Sequence, residues 1–235
     1  MLLAPFYDEK NGLFSVSRQQ GSDFAKSLAN DFNPLHDVDA KRFVVPGDLL
    51  FSLTLKEMGI SEKMRFEFVG MVAAASEFTL VAEGSEQLSV ICGEKPCTKI
   101  QRSGEILSDA KLIEAISLEY VKFSGKTFPA ILLPLMQQEN VMVNPARPMV
   151  MYQSMVIELH DMAFSNPSIE LAKQEINVDG KRGDVAIHFN ILAAGKVVGC
   201  GEKNFLISGL RAYEADAMAA LVKNYEATKA AYQAS

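Results

Sequence analysis

The chain has 235 residues, and 49% of them are hydrophobic, which is enough apolar surface for the core of one large domain or two small ones. Its 29 acidic and 23 basic residues give a formal net charge of −6, so no overall positive field recruits nucleic acid or anionic lipid. The longest apolar runs, such as "PAILLPLM", fall well short of the roughly 20 residues that a helix needs to cross a bilayer, so we expect no membrane span.

The first predicted helix begins after Ser17. Ser17 and Gln20 have the spacing of a capping box, and Phe24, Ala25 and Leu28 follow on one face of the helix. This helix leads the chain into the polar segment "NDFNPLH".

The segment "NDFNPLH" at 30–36 is predicted to be a turn. Pro34 lacks a backbone donor and keeps Asn33 out of the helical region, so Asp31 and His36 cannot share a helical face. A turn can still aim both side chains at one point if the Asn33 amide bonds nearby backbone. Two interpretations stay open: Asp31 caps a turn beside an ordinary, partly buried histidine, or the two residues form an acid/base pair.

A second helix is predicted between Pro46 and Gly59. Pro46 can begin a helix, Asp48 suits its positive end, and Gly59 can end it. The run "LLFSLTL" leaves almost no polar side, so this helix should be buried on all sides. Its N-terminus, with Gly47 at the mouth, offers free N–H groups to a developing oxyanion close to the preceding turn.

From Lys63 onward the pattern is that of β-strands. The runs "MRFEFVGMVAA", "SEFTLVAEG", "QLSVICG" and "CTKIQRSG" are separated by glycine-bearing turns. In "CGEKPC", Cys92 and Cys97 fit neither a CxxC motif nor a metal-ligand pair, and we expect two thiols across a hairpin turn. A buried helix followed by a meander of strands predicts an antiparallel sheet curled around that helix.

A weak internal repeat indicates a duplicated unit. "PAILLPLM" resembles the earlier "PGDLLFSL", and a strand region from Ala146 matches the one from Lys63 at the same offset. Two further long strands are predicted within 184–208, joined at Ala193 to Lys196.

The predicted organisation is an N-terminal unit at 1–107, a C-terminal unit at 108–209 and a C-terminal helix at 210–235. Residues 108–120 are interpreted as a connecting segment with partial helical periodicity. The C-terminal helix either packs on the outside of the fold or binds a partner, and both interpretations stay open. The residues available for one of its faces are Leu210, Tyr213, Met218, Leu221 and Tyr225.

Cysteine content predicts a reducing compartment. Cys92, Cys97 and Cys200 are an odd number in a long chain, and "MLLAPFYDEK" lacks a basic region followed by an apolar core of signal-peptide length. We therefore expect a cytoplasmic protein.

The segment "FAKSLANDFNPLH" resembles the signature of the MaoC-like, (R)-specific enoyl-CoA hydratases of the hotdog-fold superfamily, whose pattern runs Ser-Gly-Asp-x-Asn-Pro-Leu-His after a short helix. Every position of "DFNPLH" matches that pattern. The resemblance implies an α+β tandem hotdog, in which each half is an antiparallel sheet wrapped around a central buried helix, with a C-terminal helix added. It also implies an acyl-thioester tunnel between the halves.

The same resemblance implies roles for four residues. Asp31 and His36 would be catalytic, holding a water that adds to C3 of a trans-2-enoyl thioester while C2 receives a proton. Asn33 would brace the turn, and the Gly47 N–H would polarise the thioester carbonyl. The reaction would need no metal and no organic cofactor, and its substrate would be an acyl thioester of CoA or of acyl carrier protein.

Further residues are expected to bind substrate: Asn30, Asp48 and, at the symmetric helix mouth of the second half, Phe128, Pro129 and Ala130. Asn30 replaces the glycine of the family pattern, and Asn tolerates the left-handed region. Asp48 would disfavour negative charge on the substrate if it turned inward. We favour an outward orientation, in which Asp48 stabilises the helix dipole.

Two other departures bear on the function. The loop after His36 reaches Ala40 sooner than in the family. The second half carries His160 and His188 without a matching motif, so they are interpreted as a loop residue and a strand residue.

Two alternatives stay open. One is a hotdog acyl-CoA thioesterase, in which the carboxylate activates water against the thioester carbonyl. The other is a non-catalytic acyl-thioester or lipid-binding protein, which is suggested by the shortened loop and by the helix mouth Pro46-Gly47-Asp48, where the family usually has a His-Gly pair. A local excess of positive charge near the motif either binds the phosphates of CoA or consists of ordinary solvated surface charges. Its residues are Lys41, Arg42, Lys56, Lys63 and Arg65. Families that it resembles often form homodimers, so a dimer is expected, although a duplicated hotdog can also be a monomer.

Overall fold

The computed structural model describes residues 2–145 and 147–234. The helices are α1 (Arg18–Asp23), α2 (Gly47–Met58), α3 (Ala110–Ser124), α4 (Leu132–Gln138) and α5 (Ala215–Gln233). The strands are β1 (Asp8–Lys10), β2 (Leu13–Ser15), β3 (Ile60–Phe68), β4 (Phe78–Ala82), β5 (Gln87–Cys92), β6 (Lys95–Leu107), β7 (Val141–Met142), β8 (Met149–Leu159), β9 (Ser168–Asp179), β10 (Arg182–Ala193), β11 (Lys196–Ser208) and β12 (Arg211–Ala212). Short 3-10 turns lie at Ala4–Phe6 and Pro34–His36, and π-helical turns at Phe24–Leu28 and Thr127–Ile131.

Ten of these strands form one antiparallel sheet in the order β1-β2-β4-β5-β6-β3-β8-β11-β10-β9. The two halves of the chain meet in this sheet where β3 pairs with β8, from Lys63 opposite Glu158 to Glu67 opposite Ser154. β7 and β12 pair separately. α2 and α3 pack on each other and against the sheet with most of their residues buried, so each half is an antiparallel sheet wrapped around buried helix, and the fold is the expected tandem hotdog with a C-terminal helix.

The two helices predicted in the first half are confirmed. Ser17 and Gln20 form a reciprocal capping box at the start of α1, and the helix passes into a π-helical turn from Phe24. α2 runs between Pro46 and Gly59, and Gly59 takes a φ of 76°. Every residue of α2 from 49 to 55 is buried, as its apolar composition predicts.

The partial helical periodicity of 108–120 is confirmed, but interpreting these residues as a connection missed their place in the core. These residues belong mainly to α3, which has Asp109 as its N-cap and fully buried residues such as Ile116 and Tyr120. The Tyr120 ring lies 4.5 Å from that of Phe51 in α2, and 5.8 Å from that of Phe189 in β10. α3 is therefore part of the core between the halves. The central helix expected at 129–136 is the short α4, preceded by a π-helical turn.

The predicted hairpins are confirmed. β5 and β6 form a tight pair, and Cys92 and Cys97 are free thiols on either side of the turn. β10 and β11 meet at Ala193 opposite Lys196. Ala146, where a strand was expected to begin, lies outside the described residues, and β8 begins at Met149.

The C-terminal helix begins at Ala215, later than the predicted Leu210, which is buried ahead of it. It lies on the outside of the fold and buries Met218 and Tyr225. None of the helices within the described residues combines the length and the apolar composition that a membrane span requires.

Candidate active site

The motif turn is braced by its own side chains. The Asn33 N–H donates to Asp31 Oδ1 at 3.0 Å, and Asn33 Oδ1 accepts the Leu35 N–H at 3.1 Å. The His36 N–H bonds the Asn33 carbonyl at 2.9 Å and closes the 3-10 turn. Asn33 thus links the segments that carry Asp31 and His36, which is the bracing expected from the sequence.

His36 is held by its ring as well as by its backbone. Its Nδ1 lies 2.8 Å from the Val44 carbonyl oxygen, which can only accept a hydrogen bond. Nδ1 therefore carries the proton, and in the neutral ring Nε2 has a free lone pair. This tautomer leaves Nε2 available as a base.

Asp31 is half-buried between charges of both signs. Burial raises the pKa of its carboxyl, and this outweighs the lowering by nearby His36 and by the Asn33 N–H. Asp48 also raises the pKa of Asp31, whereas Lys203 lowers it. The pKa of the motif carboxylate therefore depends on groups from both halves of the chain.

Two sequence departures around the motif have local structural explanations. Asn30 has a φ of 55°, the left-handed conformation for which the family pattern uses glycine. The shortened loop is tied down by Arg18, whose Nη1 donates to the carbonyls of Val38 at 2.9 Å and of Ala40 at 2.7 Å. The turn is therefore ordered despite both changes.

Gly47 is the first residue of α2, so its N–H has no partner within the helix. A Cβ here would lie 3.2 Å from ring atoms of both Phe68 and Tyr152. The helix mouth is therefore closely lined by aromatic rings, and glycine is the residue that fits beneath them.

Asp48 points inward, and the outward orientation that we favoured is wrong. Its side chain is 15% exposed, and its Oδ1 lies 3.6 Å from Lys203 Nζ of β11. Its Oδ2 accepts a hydrogen bond from Ser124 at the end of α3, and Ser124 Oγ accepts one from Lys203. The partner of Asp48 is Lys203, which lies in the second half of the chain, so the sequence around Asp48 gives no indication of it.

Lys203 is a candidate site residue that the sequence analysis missed. It is 2% exposed, and burial lowers the pKa of its ammonium group, while Asp48 and Asp31 raise it. The available signal was strand periodicity, because Lys203 shares the inward face of β11 with Phe205 and Ile207.

Two tyrosines complete this cluster. The hydroxyls of Tyr120 and Tyr152 bond each other, and burial, followed by nearby charges, raises the pKa of each well above its usual value. For Tyr120 those charges include Asp48. Both hydroxyls stay protonated near neutral pH and can donate hydrogen bonds there.

The C-terminal helix also reaches the motif. The Phe32 N–H donates to the Tyr225 hydroxyl at 3.4 Å, and the Tyr225 ring lies between those of Phe32 and Phe128, at 6.0 and 5.4 Å. Burial, then Asp31, raises the pKa of Tyr225 to about 12.

Pro129 is half-buried and Ala130 exposed in the turn after Phe128, and the substrate-binding roles of all three stay predictions.

The histidines of the second half lie away from this cluster. His188 is on β10 between Glu175 and Glu202, at 3.7 and 3.6 Å, and His160 follows the end of β8. Across residues 2–145 and 147–234, no group of three His, Cys, Asp or Glu side chains is arranged to hold a metal ion.

A surface cavity of about 220 Å³ adjoins the motif. Asn30 lines it together with Lys122 and Lys126.

Three of the basic residues considered for CoA are instead held in ion pairs: Lys56 with Glu57, Lys63 with Glu158, and Arg65 with Glu67.

The chain is similar to a tesB protein from Mycobacterium avium subs paratuberculosis, with a TM-score of 0.49 and 9% identity over 88% of this chain and 98% of that one. It is also similar to a conserved hot dog fold protein from Alicyclobacillus acidocaldarius, with a TM-score of 0.48 and 7% identity over 88% and 98%. A MaoC-like dehydratase gives a TM-score of 0.41 and 10% identity over 87% and 98%. No match is found among curated proteins. The family model described as "Protein of unknown function (DUF3581)" matches residues 1–216, and the chain belongs to this family.

Proposed function

We propose that this protein is an enoyl-thioester hydratase, or the reverse 3-hydroxyacyl-thioester dehydratase. The observation that carries the proposal is the braced turn that holds Asp31 and His36 together, with the His36 ring fixed so that Nε2 is free. Two acid/base groups on one rigid segment suit the placement of a single water molecule.

In the proposed step, Asp31 and His36 Nε2 share a water. The water oxygen bonds to C3 of the trans-2-enoyl thioester while one of its protons passes to the pair. The pair delivers a proton to C2, where the electron pair of the double bond forms the new C–H bond, so the double bond becomes a single bond. The raised pKa of Asp31 supports this role, because a carboxyl closer to neutrality transfers protons more readily in both directions.

The Gly47 N–H is proposed to bind the thioester carbonyl oxygen. Negative charge builds on that oxygen as the nucleophile adds, and a preorganised N–H at a helix N-terminus stabilises it. The rings of Phe68 and Tyr152 beside Gly47 make the mouth of α2 apolar, which suits an acyl group better than bulk water.

The carrier is proposed to lie over the surface near Asn30. The cavity there brings Lys122 and Lys126 beside the motif, and exposed Lys41 and Arg42 follow the motif turn. Ammonium and guanidinium groups suit the phosphates of CoA or of the acyl carrier prosthetic group. We also propose a cytoplasmic homodimer, with the three free cysteines as the reason for the compartment.

The test follows the enoyl-thioester absorbance with crotonyl-CoA and with a longer trans-2-enoyl-CoA. We expect wild-type protein to remove the band and form 3-hydroxyacyl-CoA, and Asp31→Asn and His36→Ala to abolish this while remaining folded. Asp39→Asn, an exposed change in the same loop, is the matched control and should turn over normally. Full activity in either motif variant would refute these roles.

A thioesterase is the second candidate, because a water held by Asp31 beside the Gly47 N–H could equally attack a thioester carbonyl. It releases free thiol from saturated acyl-CoA, which a thiol reagent detects in the same samples. Tight acyl-CoA binding with neither product would identify a non-catalytic binding protein instead.

A further inference from the structure

Lys203 lies on the inward face of β11, among buried apolar side chains. Its neighbours on the same face of β11, Phe205 and Ile207, are buried in the core. Burial of an unpaired ammonium group is strongly unfavourable, so a lysine here needs close partners of opposite charge or hydrogen-bonding capacity.

Those partners come from the mouth of α2 and the end of α3. Lys203 Nζ lies 3.6 Å from Asp48 Oδ1 and donates to Ser124 Oγ, which in turn donates to Asp48 Oδ2. Ser124 thereby extends the ion pair into a hydrogen-bonded triad of Lys203, Ser124 and Asp48. The triad connects the two halves of the chain at the candidate site.

Aromatic rings enclose the ammonium group. Nζ lies 4.4 Å from the ring centre of Tyr152, 5.0 Å from that of Phe205 and 5.6 Å from that of Tyr120. Ring faces attract a cation and keep water away, so charges in this cluster act on one another with little screening.

The ion pair of Lys203 and Asp48 affects the candidate site because of where Asp48 lies. Asp48 is next to Gly47, and an uncompensated carboxylate there would oppose negative charge on a ligand oxygen bound by the Gly47 N–H. It also opposes ionisation of Asp31, whereas Lys203 favours it. The titratable groups that act on Lys203 or adjoin it are Asp31 from the motif turn, Asp48 from α2, Tyr120 from α3 and Tyr152 from β8.

We propose that Lys203 is a positioning residue of the candidate site, whose ammonium group cancels the charge of Asp48 so that the Gly47 N–H and Asp31 can function beside it. The second half of the chain then completes the site as well as supporting it. The effect on turnover rests on the proposed hydration, whereas the effect on Asp31 does not.

The experiment therefore has two readouts. Carbon NMR of isotope-labelled aspartate measures the pKa of Asp31 in wild type, Lys203→Met, Asp48→Asn and the double variant. Initial rates with crotonyl-CoA give kcat and KM for the same proteins. Lys173→Met, which removes the exposed Lys173–Glu175 pair, is the matched control for loss of a lysine charge.

We expect Lys203→Met to raise the pKa of Asp31 and to lower kcat by about 100-fold with a small change in KM, as loss of oxyanion stabilisation does. Asp48→Asn should lower the pKa of Asp31, because it removes a like charge. The double variant should recover at least about tenfold of the lost kcat, because neither charge is then left alone. Lys173→Met should match wild type in both readouts.

An unchanged Asp31 titration in folded Lys203→Met would overturn the proposal, as would a double variant as slow as the single one. If Lys203→Met does not fold, Asp48→Asn decides: an Asp31 titration that does not move overturns the proposal. A wild-type protein without hydratase activity would refute the proposed function, and the NMR titration would still decide the role of Lys203.

Discussion

Gly125 is the residue through which α3 is expected to fix the position of the motif. It follows α3 with a φ of −63°, which any residue can adopt, so replacement by alanine introduces no backbone strain of its own. An added Cβ would lie 1.7 Å from the Ala29 carbonyl oxygen and 2.7 Å from its carbon. Ala29 directly precedes Asn30 and Asp31.

The size of the required movement follows from the contact distance. Carbon and oxygen normally approach to about 3.3 Å, so the two segments must separate by roughly 1.6 Å. The obstructing atoms belong to the backbone and cannot rotate aside as a side chain would. The Asp31 N–H bonds the Ala25 carbonyl at 2.8 Å, so the turn that holds the motif must shift with Ala29.

We expect Gly125→Ala to lower the free energy of unfolding by about 1–3 kcal/mol, the usual cost of overpacking. The melting temperature should fall by about 2–4 °C for each kcal/mol in a chain of this size. A misplacement of about 1 Å can cost 100-fold in rate, so kcat/KM for crotonyl-CoA should fall by about that factor.

Urea unfolding and the enoyl-CoA assay measure these effects. Gly183→Ala is the control, because its Cβ would meet only the side-chain ends of Ile176 and Leu210, each at 3.1 Å. Those ends can move slightly, so both stability and rate should change little. The reasoning would be refuted if Gly125→Ala matched Gly183→Ala in both measurements.

The remaining predictions concern the motif itself. Because burial raises the pKa of Asp31, the folded state holds that proton more tightly than the unfolded state, whose value is near 3.8. The resulting stabilisation is complete below that value and is lost as pH rises through the folded-state pKa. Asp31→Asn should therefore gain stability relative to wild type between about pH 4 and pH 7 in urea unfolding, and a constant difference would contradict this. Asn30→Gly should keep the wild-type free energy of unfolding, whereas Asn30→Ala should lose about 1 kcal/mol because of the left-handed φ, and equal stabilities would count against that cause.

Local signals predicted much of the first half. The capping box at Ser17, the limits of α2 and the hairpin at Cys92 depend on hydrogen bonds and steric preferences among neighbouring residues. The motif turn belongs to the same class, since Pro34 and Asn33 determine its shape from within.

The sequence pattern did not predict the correct structure for elements whose two faces differ little in polarity. β9 was not predicted, because this edge strand is largely exposed and lacks a clear apolar alternation. α3 was taken for a connection, because its burial comes from α2 and β10, which are distant in sequence. Propensity alone could not indicate that it lies inside the core.

The sequence by itself determined the braced Asp31–His36 turn, the glycine at the mouth of α2 and the antiparallel strands, because short-range backbone geometry specifies all of them. Tertiary structure alone decided that Asp48 turns inward, that Lys203 and Ser124 meet it, and that Tyr225 adjoins the motif. These contacts depend on where the two halves and the last helix are packed together. Burial strengthens the electrostatic interactions among these side chains, since the same side chains in water would interact only weakly.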